Sequence, residues 1–434
     1  MYKIKKPTQV DYKSFNIESD NGVSKYNLPQ NVLYCKKCVI SNQRPSSEVE
    51  FLSSKNQKKK TINFDNLGIC DACRYAEIKN TKIDWALREK ELMDLCKKHK
   101  KKNQYDCIVP GSGGKDSFYT SHILKYKYGM NPLTVTWAPN LYTDWGWKNF
   151  QSWIHSGIDN ILITPNGRTH RLLTRLAVDN LFHPFQPFII GQKFIGAKIA
   201  SMYNVDLVFY GENEAEYGND IETTLVPLRD KKFFASDKND YILGGVETSE
   251  LIQDYDIRES DLNIYKPLPY EKYEKTNIEV HYLGYYLKWH PQNCFYYAME
   301  NSDFQISPER TPGTYSKYNS IDDKIDDLHY YTTGIKFGLG RASYDAAQEI
   351  RSGDIDRKEG MALVNKFDLE FPARFEKEIF KYLSIDEKNF GHVRNLFEHP
   401  DFNRDYLDLL SDNFRSPHLW YFDGEEFKLK YKLI

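Results

Sequence analysis

From residue 105 the chain alternates short apolar runs with longer segments whose apolar residues recur at helical spacing. Tyr105–Val109, Pro132–Trp137, Asn160–Thr164 and Val205–Tyr210 read as strands, and Asp116–Tyr128, Trp145–Ser156, Arg168–Asn180 and Phe188–Tyr203 as helices. Such alternation with short connections predicts an α/β fold, a parallel sheet covered by helices on both faces. Ligands of these sheets sit at the carboxyl ends of the strands, which directs attention to the loops 110–117, 138–144, 164–168 and 211–220. Upstream, Ile83–His99 has apolar residues at helical spacing amid charges and predicts an amphipathic helix leading into the first strand. Downstream, residues 225–330 lose the alternation and are rich in Tyr, Trp, Pro and charge. Helical patterns return at Tyr344–Arg351, Arg357–Lys366 and Ala373–Leu383, followed by a strand-like tail from Phe427 to Ile434. The pattern divides the chain into an N-terminal arm (1–31), a cysteine-bearing module (32–76), a connecting helix (77–104), the alternating domain (105–224), an aromatic-rich region (225–330) and a mainly helical C-terminal part (331–434).

Composition changes this picture little. With 434 residues, 40% of them hydrophobic, the chain can bury a large core, and its net charge of −2 implies no polyanionic partner. Charge is uneven, since residues 1–104 hold 22 Lys and Arg against 12 Asp and Glu. Lys55–Lys60 and Lys97–Lys102 are short runs with few aromatics, the mark of a solvated surface, and no nucleic-acid partner is expected from them. No apolar run approaches the ~18 residues a membrane span requires, and the first 30 residues lack a hydrophobic signal core. A cytoplasmic protein is expected. Its seven cysteines then read as ligands, nucleophiles or core residues in preference to disulfides, with the isolated Cys96 and Cys107 read as core or surface cysteines.

Four of the seven stand in two knuckles, Cys35-Lys36-Lys37-Cys38 and Cys70-Asp71-Ala72-Cys73. Each two-residue spacing lets one turn present two thiolates, and two knuckles complete the tetrahedron that zinc prefers. Gly68 suits the second turn, and Ser53–Lys60 reads as a surface loop that lengthens the gap between knuckles. A closed four-thiolate site is structural, because it leaves no position for water. Redox pairs and an iron–sulfur cluster are the competing readings.

The densest chemistry lies in Gly111-Ser112-Gly113-Gly114-Lys115-Asp116-Ser117, between the first strand and its helix. Glycines let backbone N–H groups approach a phosphate, and the following helix points its positive end there. Lys115, Ser112 and Ser117 add charge and donors. The loop is not a Walker A motif, which requires Lys followed by Ser or Thr. It resembles the pyrophosphatase loop of ATP-dependent adenylating enzymes, which cleave ATP between the α and β phosphates. At the fourth strand's end, Glu212, Glu214 and Glu216 crowd three carboxylates into five residues, an arrangement that invites magnesium on ATP phosphates or is a solvated acidic loop. In the region 225–330, Lys288-Trp289-His290-Pro291 and Glu309 to Tyr318 combine aromatic faces with donors, as sugar or nucleotide binding requires and as ordinary loops also do. Asp322, Asp323, Asp326 and Asp327 fit one acidic helix face.

Together these motifs resemble the N-acetyl sugar amidotransferase family. The resemblance runs from about Tyr34 onward and rests on the loop combined with Cys-x-x-Cys plus Arg44-Pro45, Gly-Ile-Cys-Asp-Ala-Cys-Arg at 68–74, Gly-Glu-Asn-x-x-Glu-Tyr-Gly at 211–218, Thr-Tyr-Ser-Lys-Tyr at 314–318 and Lys-Phe-Gly-Leu-Gly-Arg at 336–341. It implies an adenine nucleotide alpha hydrolase-like domain over 105–224, a sugar-substrate region over 225–330, and conversion of an N-acetyl into an acetamidino group for flagellin or lipopolysaccharide glycans. Lys115, Asp116 and Ser117 would be catalytic. Residues 111–117 with Glu212 and Glu216 would hold ATP and magnesium, and Asn213, Tyr217, Trp289, His290, Arg310, Tyr315 and Lys317 would hold a nucleotide-activated N-acetyl sugar. Structural zinc would sit on Cys35, Cys38, Cys70 and Cys73. A glutaminase cysteine, in a Gly-x-Cys-x-Gly elbow or after the initiator Met, is missing, so ammonia is expected from a separate glutaminase and channelling partner resembling imidazole glycerol phosphate synthase. The rival readings are a tRNA-thiolating enzyme with the same loop and a non-enzymatic nucleotide-binding protein.

Overall fold

A computed structural model of the chain describes residues 4, 6–16, 23–53, 58–221, 225–431 and 433. The cysteine module leads into α1 (Asp71–Thr81) and α2 (Trp85–His99), the latter begun by Asp84, whose carboxylate caps the N–H groups of Ala86 and Leu87. Then β1 (Cys107–Pro110), α3 (Lys115–Tyr126), β2 (Pro132–Trp137), α4 (Asp144–His155), β3 (Asp159–Ile163), α5 (Gly167–Leu181), α6 (Gln186–Tyr203) and β4 (Leu207–Tyr210) follow in turn. The elements expected between residues 83 and 210 are all present, with ends displaced by a residue or two.

The sheet holds one strand more than the alternation predicts. β5 (Glu279–Tyr282) comes from the region read as irregular and pairs in parallel with β4, Leu207 opposite Glu279 and Tyr210 opposite Tyr282. The order is β3-β2-β1-β4-β5, all parallel. Both faces are covered, which is why β1 and β2 are buried along their whole length. Ile108 and Val208 pack with Phe194 and Ile195 of α6, whereas Cys107, Val109, Leu207 and Phe209 pack with Ile123 and Leu124 of α3. Cys96 and Cys107 lie in that second layer, as expected of core residues.

Strand order reverses between β1 and β4. The loops after these two strands open side by side at the carboxyl edge, the place where such sheets bind ligands.

Beyond the sheet come α7 (Pro291–Asn301), α8 (Ile325–Phe337), α9 (Arg341–Ser352), α10 (Arg357–Phe367), α11 (Glu376–Leu383) and α12 (Arg404–Phe414). A short hairpin, Trp420–Phe422 with Phe427–Leu429, ends the described part of the tail. The cysteine module has no core of its own. Its four cysteines, with Val39 and Ile40, share one apolar cluster with Ile325, Ile335 and Ala347 of α8 and α9 and with Phe182. The N-terminal arm joins the same body: Phe15 is buried and Tyr12 stacks on Phe422 at 4.3 Å. Of the expected Ser53–Lys60 surface loop, residues 54–57 lie outside the described residues, as do 432 and 434 of the tail.

No helix among the described residues is long and apolar enough to cross a membrane.

Candidate functional site

The β1–α3 turn is built for close approach. Gly113 has φ +90°, and a Cβ there would meet Phe150 backbone at 2.8 Å; a Cβ on Gly111 would meet Ser117 Cβ at 2.1 Å. Ser117 Oγ accepts from Gly113 N–H (3.1 Å) and donates to Gly114 carbonyl (3.0 Å), which ties the turn to the first helical residues. The helices after β2 and β3 are capped by Thr143 and Asn166, but α3, after β1, has Gly114 at its N-cap and no side-chain cap. Its first N–H groups are left to a ligand. Lys115 is buried with Nζ 2.6 Å from Asp116 Oδ2; burial works against its charge, yet Asp116 holds the ammonium above its ordinary pKa. The other oxygen of Asp116, Oδ1, is buried without a partner.

This turn forms part of a cleft of about 680 Å³. Pro110, Gly111, Ser112, Gly114 to Ser117, Gly211, Glu212, Glu214 and Tyr217 line it from the sheet edge, while Gly113 of the expected ATP-binding set packs against Phe150 behind the turn. Arg44, Glu48 and Lys59 line it from the cysteine module, Asp322 from the segment before α8, and His329, Arg341, Tyr344, Asp345 and Arg351 from α8 and α9.

The acidic loop after β4 separates its three carboxylates. Glu212 faces the cleft, receiving hydrogen bonds from Tyr217 Oη and Gln348 Nε2. Burial, reinforced by Asp116 and Glu216, pushes its carboxyl up to about 7. Glu214 pairs with Arg229 at 3.6 Å. Glu216 is turned away from the cleft: its Oε1 lies 2.6 Å from Lys79 Nζ of α1, both side chains almost fully buried. Lys79 also donates to Trp289 carbonyl at 3.1 Å. The magnesium expectation for Glu216 therefore meets a carboxylate already compensated by a lysine.

Nor are the four aspartates near 322 a solvated helix face. α8 begins only at Ile325. Asp323 lies before it and accepts from Asn140 and Leu141, while Asp327 is bound by Arg374 at 2.7 and 3.1 Å. Asp322 accepts a hydrogen bond from Ser112 Oγ of the loop, and burial pushes its carboxyl up to about 6.

Of the expected sugar-binding residues, Tyr217 lines the cleft. Asn213 is buried and caps Ala215 N–H (2.9 Å), at the base of the acidic loop. Trp289 is buried beneath Gly211, where a Cβ would meet its ring at 2.7 Å, so it shapes the loop from below. His290 begins α7, 3.3 Å from Asp354. Arg310 is engaged by Glu370 (2.5 and 2.7 Å), Tyr315 by Glu349 (2.6 Å) and Lys317 by Pro308 carbonyl (2.9 Å), and none of these four lines the cleft. Several lining residues carry no sequence signal of their own, Arg229, His329 and Arg351 among them. Arg44 and Arg341 stand within the quoted motifs.

The four knuckle cysteines come together as expected. Their sulfurs lie within 4.8 Å of one another, with Cys35–Cys73 at 3.8 Å and Cys38–Cys70 at 3.7 Å, all buried. The group is able to hold a metal ion.

Residues 312–432 match the family model described as "LPS biosynthesis protein WbpG-like, C-terminal domain". The chain carries a WbpG-like C-terminal domain. That domain supplies Asp322, His329, Arg341 and Arg351 to the cleft, and its presence supports the resemblance to the N-acetyl sugar amidotransferases. No curated protein matches the chain. Among solved structures, "U34-tRNA thiolase NcsA from Methanococcus maripaludis with its [4Fe-4S] cluster" is similar at 12% identity and a TM-score of 0.28, over 84% of this chain and 97% of that one. A likeness that weak has no bearing on the chemistry of this chain.

Proposed function

We propose that the protein is an ATP-dependent amidotransferase that turns the N-acetyl group of a nucleotide-activated sugar into an acetamidino group for a surface glycan. The observation that carries this reading is the shared cleft: an uncapped Ser-Gly-Gly-Lys-Asp-Ser turn opens at the switch point of the sheet, and a WbpG-like domain closes over it. An amide carbonyl is a poor electrophile because its oxygen leaves badly. In the proposed reaction that oxygen attacks the α-phosphorus of ATP and the bond to pyrophosphate breaks. Ammonia then adds to the imidate carbon, gives up a proton, and the C–O bond to AMP breaks. Lys115 and the free N–H groups of α3 would stabilise the departing pyrophosphate.

A hard divalent cation fits here, because Asp116 Oδ1 has no partner and Glu212 has only neutral hydrogen-bond donors. Asp116 and Glu212 would hold magnesium, which neutralises phosphate charge. Zinc fits the cysteine module, since four sulfurs about 2.3 Å from one ion stand about 3.8 Å apart in a regular tetrahedron. A four-iron cube seats each thiolate on a different iron and spreads them further.

Ammonia would come from a separate glutaminase with a channelling partner. Cys96, Cys107 and Cys294 are buried, and burial pushes their thiols up, Cys96 to about 12, the reverse of what a nucleophile requires.

The test is pyrophosphate release from ATP by metal-loaded protein with ammonium, across UDP- and CMP-linked diacetamido sugars, with mass spectrometry of the sugar. The expected outcome is release with one sugar and a mass change equal to the exchange of O for NH. Release with tRNA and with no sugar would move the protein to the thiolating enzymes.

A further inference from the structure

The cleft holds more cationic charge than one triphosphate loop explains. Lys115 is matched by Asp116, Arg229 by Glu214 at 3.6 Å and Arg341 by Asp345 at 2.9 Å. Arg44 differs. It is 6% exposed, its Nη1 has no hydrogen-bond partner, and no carboxylate among the described residues comes within ion-pair distance. The rings of Tyr344 and Tyr217 flank its guanidinium at 5.4 and 6.0 Å, and all three residues line the cleft. Arg351, in the last turn of α9, shares this wall. Its Nη2 donates to Glu216 carbonyl at 2.9 Å, and its Nε is buried without a partner. Burial, together with the charge of Arg351, pulls Arg44 below the ordinary arginine range.

Leaving a guanidinium buried and unpaired is costly, and placing a second beside it adds repulsion. Two guanidinium groups on the wall of one cavity, each with a buried N–H left unbonded, fit an oxyanion, which accepts fork-like hydrogen bonds from planar donors. The cysteine thiolates offset part of the charge of both arginines, but they leave Arg351 Nε and Arg44 Nη1 unbonded.

We propose that Arg44 and Arg351 form a second anion subsite, distinct from the ATP loop, that holds an oxyanion of the acceptor molecule while ATP occupies residues 111–117. The oxyanion is either a phosphate of the nucleotide carrier or a carboxylate of the sugar. The inference builds on the proposed function in treating the cleft as shared by ATP and an acceptor. It assigns the acceptor's negative group to the junction of the cysteine module and the WbpG-like domain, which explains why these two parts share a core.

The experiment is calorimetric titration of the full-length, metal-loaded protein, saturated with a non-hydrolysable ATP analogue. The probes are UDP-N-acetylglucosamine (phosphates only), N-acetylneuraminic acid (carboxylate only) and CMP-N-acetylneuraminic acid (both). Arg44→Gln is expected to weaken the responding probe about tenfold or more while changing the analogue's affinity less than about twofold, and Arg44→Lys, with its charge but no fork, falls between. A response to the nucleotide-linked probes alone assigns a phosphate; a response to free N-acetylneuraminic acid assigns a carboxylate. The proposal is overturned if no probe binds the wild-type protein, if Arg44→Gln binds as wild type, or if metal content falls in step with probe binding. That last result makes the arginines counter-charges of the cysteine cluster. Probe binding without any amidine product would sink the amidotransferase reading and leave the subsite standing.

Discussion

Two acidic stretches border the cleft, the loop 212–216 after β4 and the segment 322–327 leading into α8, and they divide their carboxylates alike. Glu216 is closed by Lys79 and Asp327 by Arg374, cations from other parts of the fold. Among the described residues Glu212 and Asp322 receive only neutral donors, from Tyr217, Gln348 and Ser112, and both line the cleft beside the loop at 111–117. The first kind fastens the walls of the cleft; the second is left for what enters it. Carboxylates four or five residues apart thus take opposite roles, decided by what lies opposite each of them.

Breaking the fastening kind is expected to have the largest effect. Lys79→Met leaves Glu216 charged and buried alone and is expected to destabilise the protein by about 3–5 kcal/mol, read from urea denaturation. The Lys79→Met, Glu216→Met double variant is expected to recover most of the loss, because an apolar pair needs no compensation. A single-variant cost below about 1 kcal/mol would show that the pair fastens nothing.

How much of this division could be read beforehand follows from where each partner lies in the chain. The sheet was legible because each strand is a short apolar run between turn residues, and β2 falls on Pro132–Trp137 as expected. The loop was legible because its glycines, lysine and hydroxyls are contiguous, and the cysteine cluster because spacing alone brings paired thiolates together. β5 was not legible: Glu279-Val280-His281-Tyr282 is four residues long, half polar, and far from β4. Nor was the role of Glu216, whose partner Lys79 stands 137 residues away. Asp322 to Asp327 have helical spacing, but the helix starts at Ile325 and other segments bury its first turn. Arg310, Tyr315 and Lys317 have the right residue types, and the structure engages each with a nearby group outside the cleft. Residue type and spacing convey chemistry only where the partners are local.

Asp322 sharpens the comparison on ligand affinity. While ionised it accepts the hydrogen bond from Ser112 Oγ and places a negative charge beside the loop at 111–117, where under the proposed function it competes with ATP phosphates. Its carboxyl titrates near 6, so lowering the pH through that value neutralises it and is expected to tighten ATP binding. Asp322→Asn removes the charge at every pH and is expected to bind ATP about five-fold more tightly at pH 8, roughly 1 kcal/mol, with the gap closing below pH 6. Weaker binding by the variant would instead place Asp322 among the ligands of a bound cation.

The smallest effect is the most diagnostic of the second kind of carboxylate. In the folded, ligand-free protein Glu212 titrates near 7, above its ordinary value of 4.5, with burial the leading cause. Between those values the folded state keeps a proton that the unfolded chain has released, so this stabilisation is full below pH 4.5 and lost as pH rises through 7. Glu212→Gln cannot ionise and escapes the loss. Discounted for the partial exposure of the site, the variant is expected to be more stable than wild type by on the order of 1 kcal/mol at pH 8, with no difference at pH 4.5. Magnesium with ATP should reverse the order at pH 8, because a cation stabilises the charged glutamate and has less to bind in the amide. Thermal unfolding at the two pH values, with and without magnesium and ATP, decides it. A variant less stable than wild type at pH 8 without ligand would class Glu212 with Glu216, as a fastening of the fold.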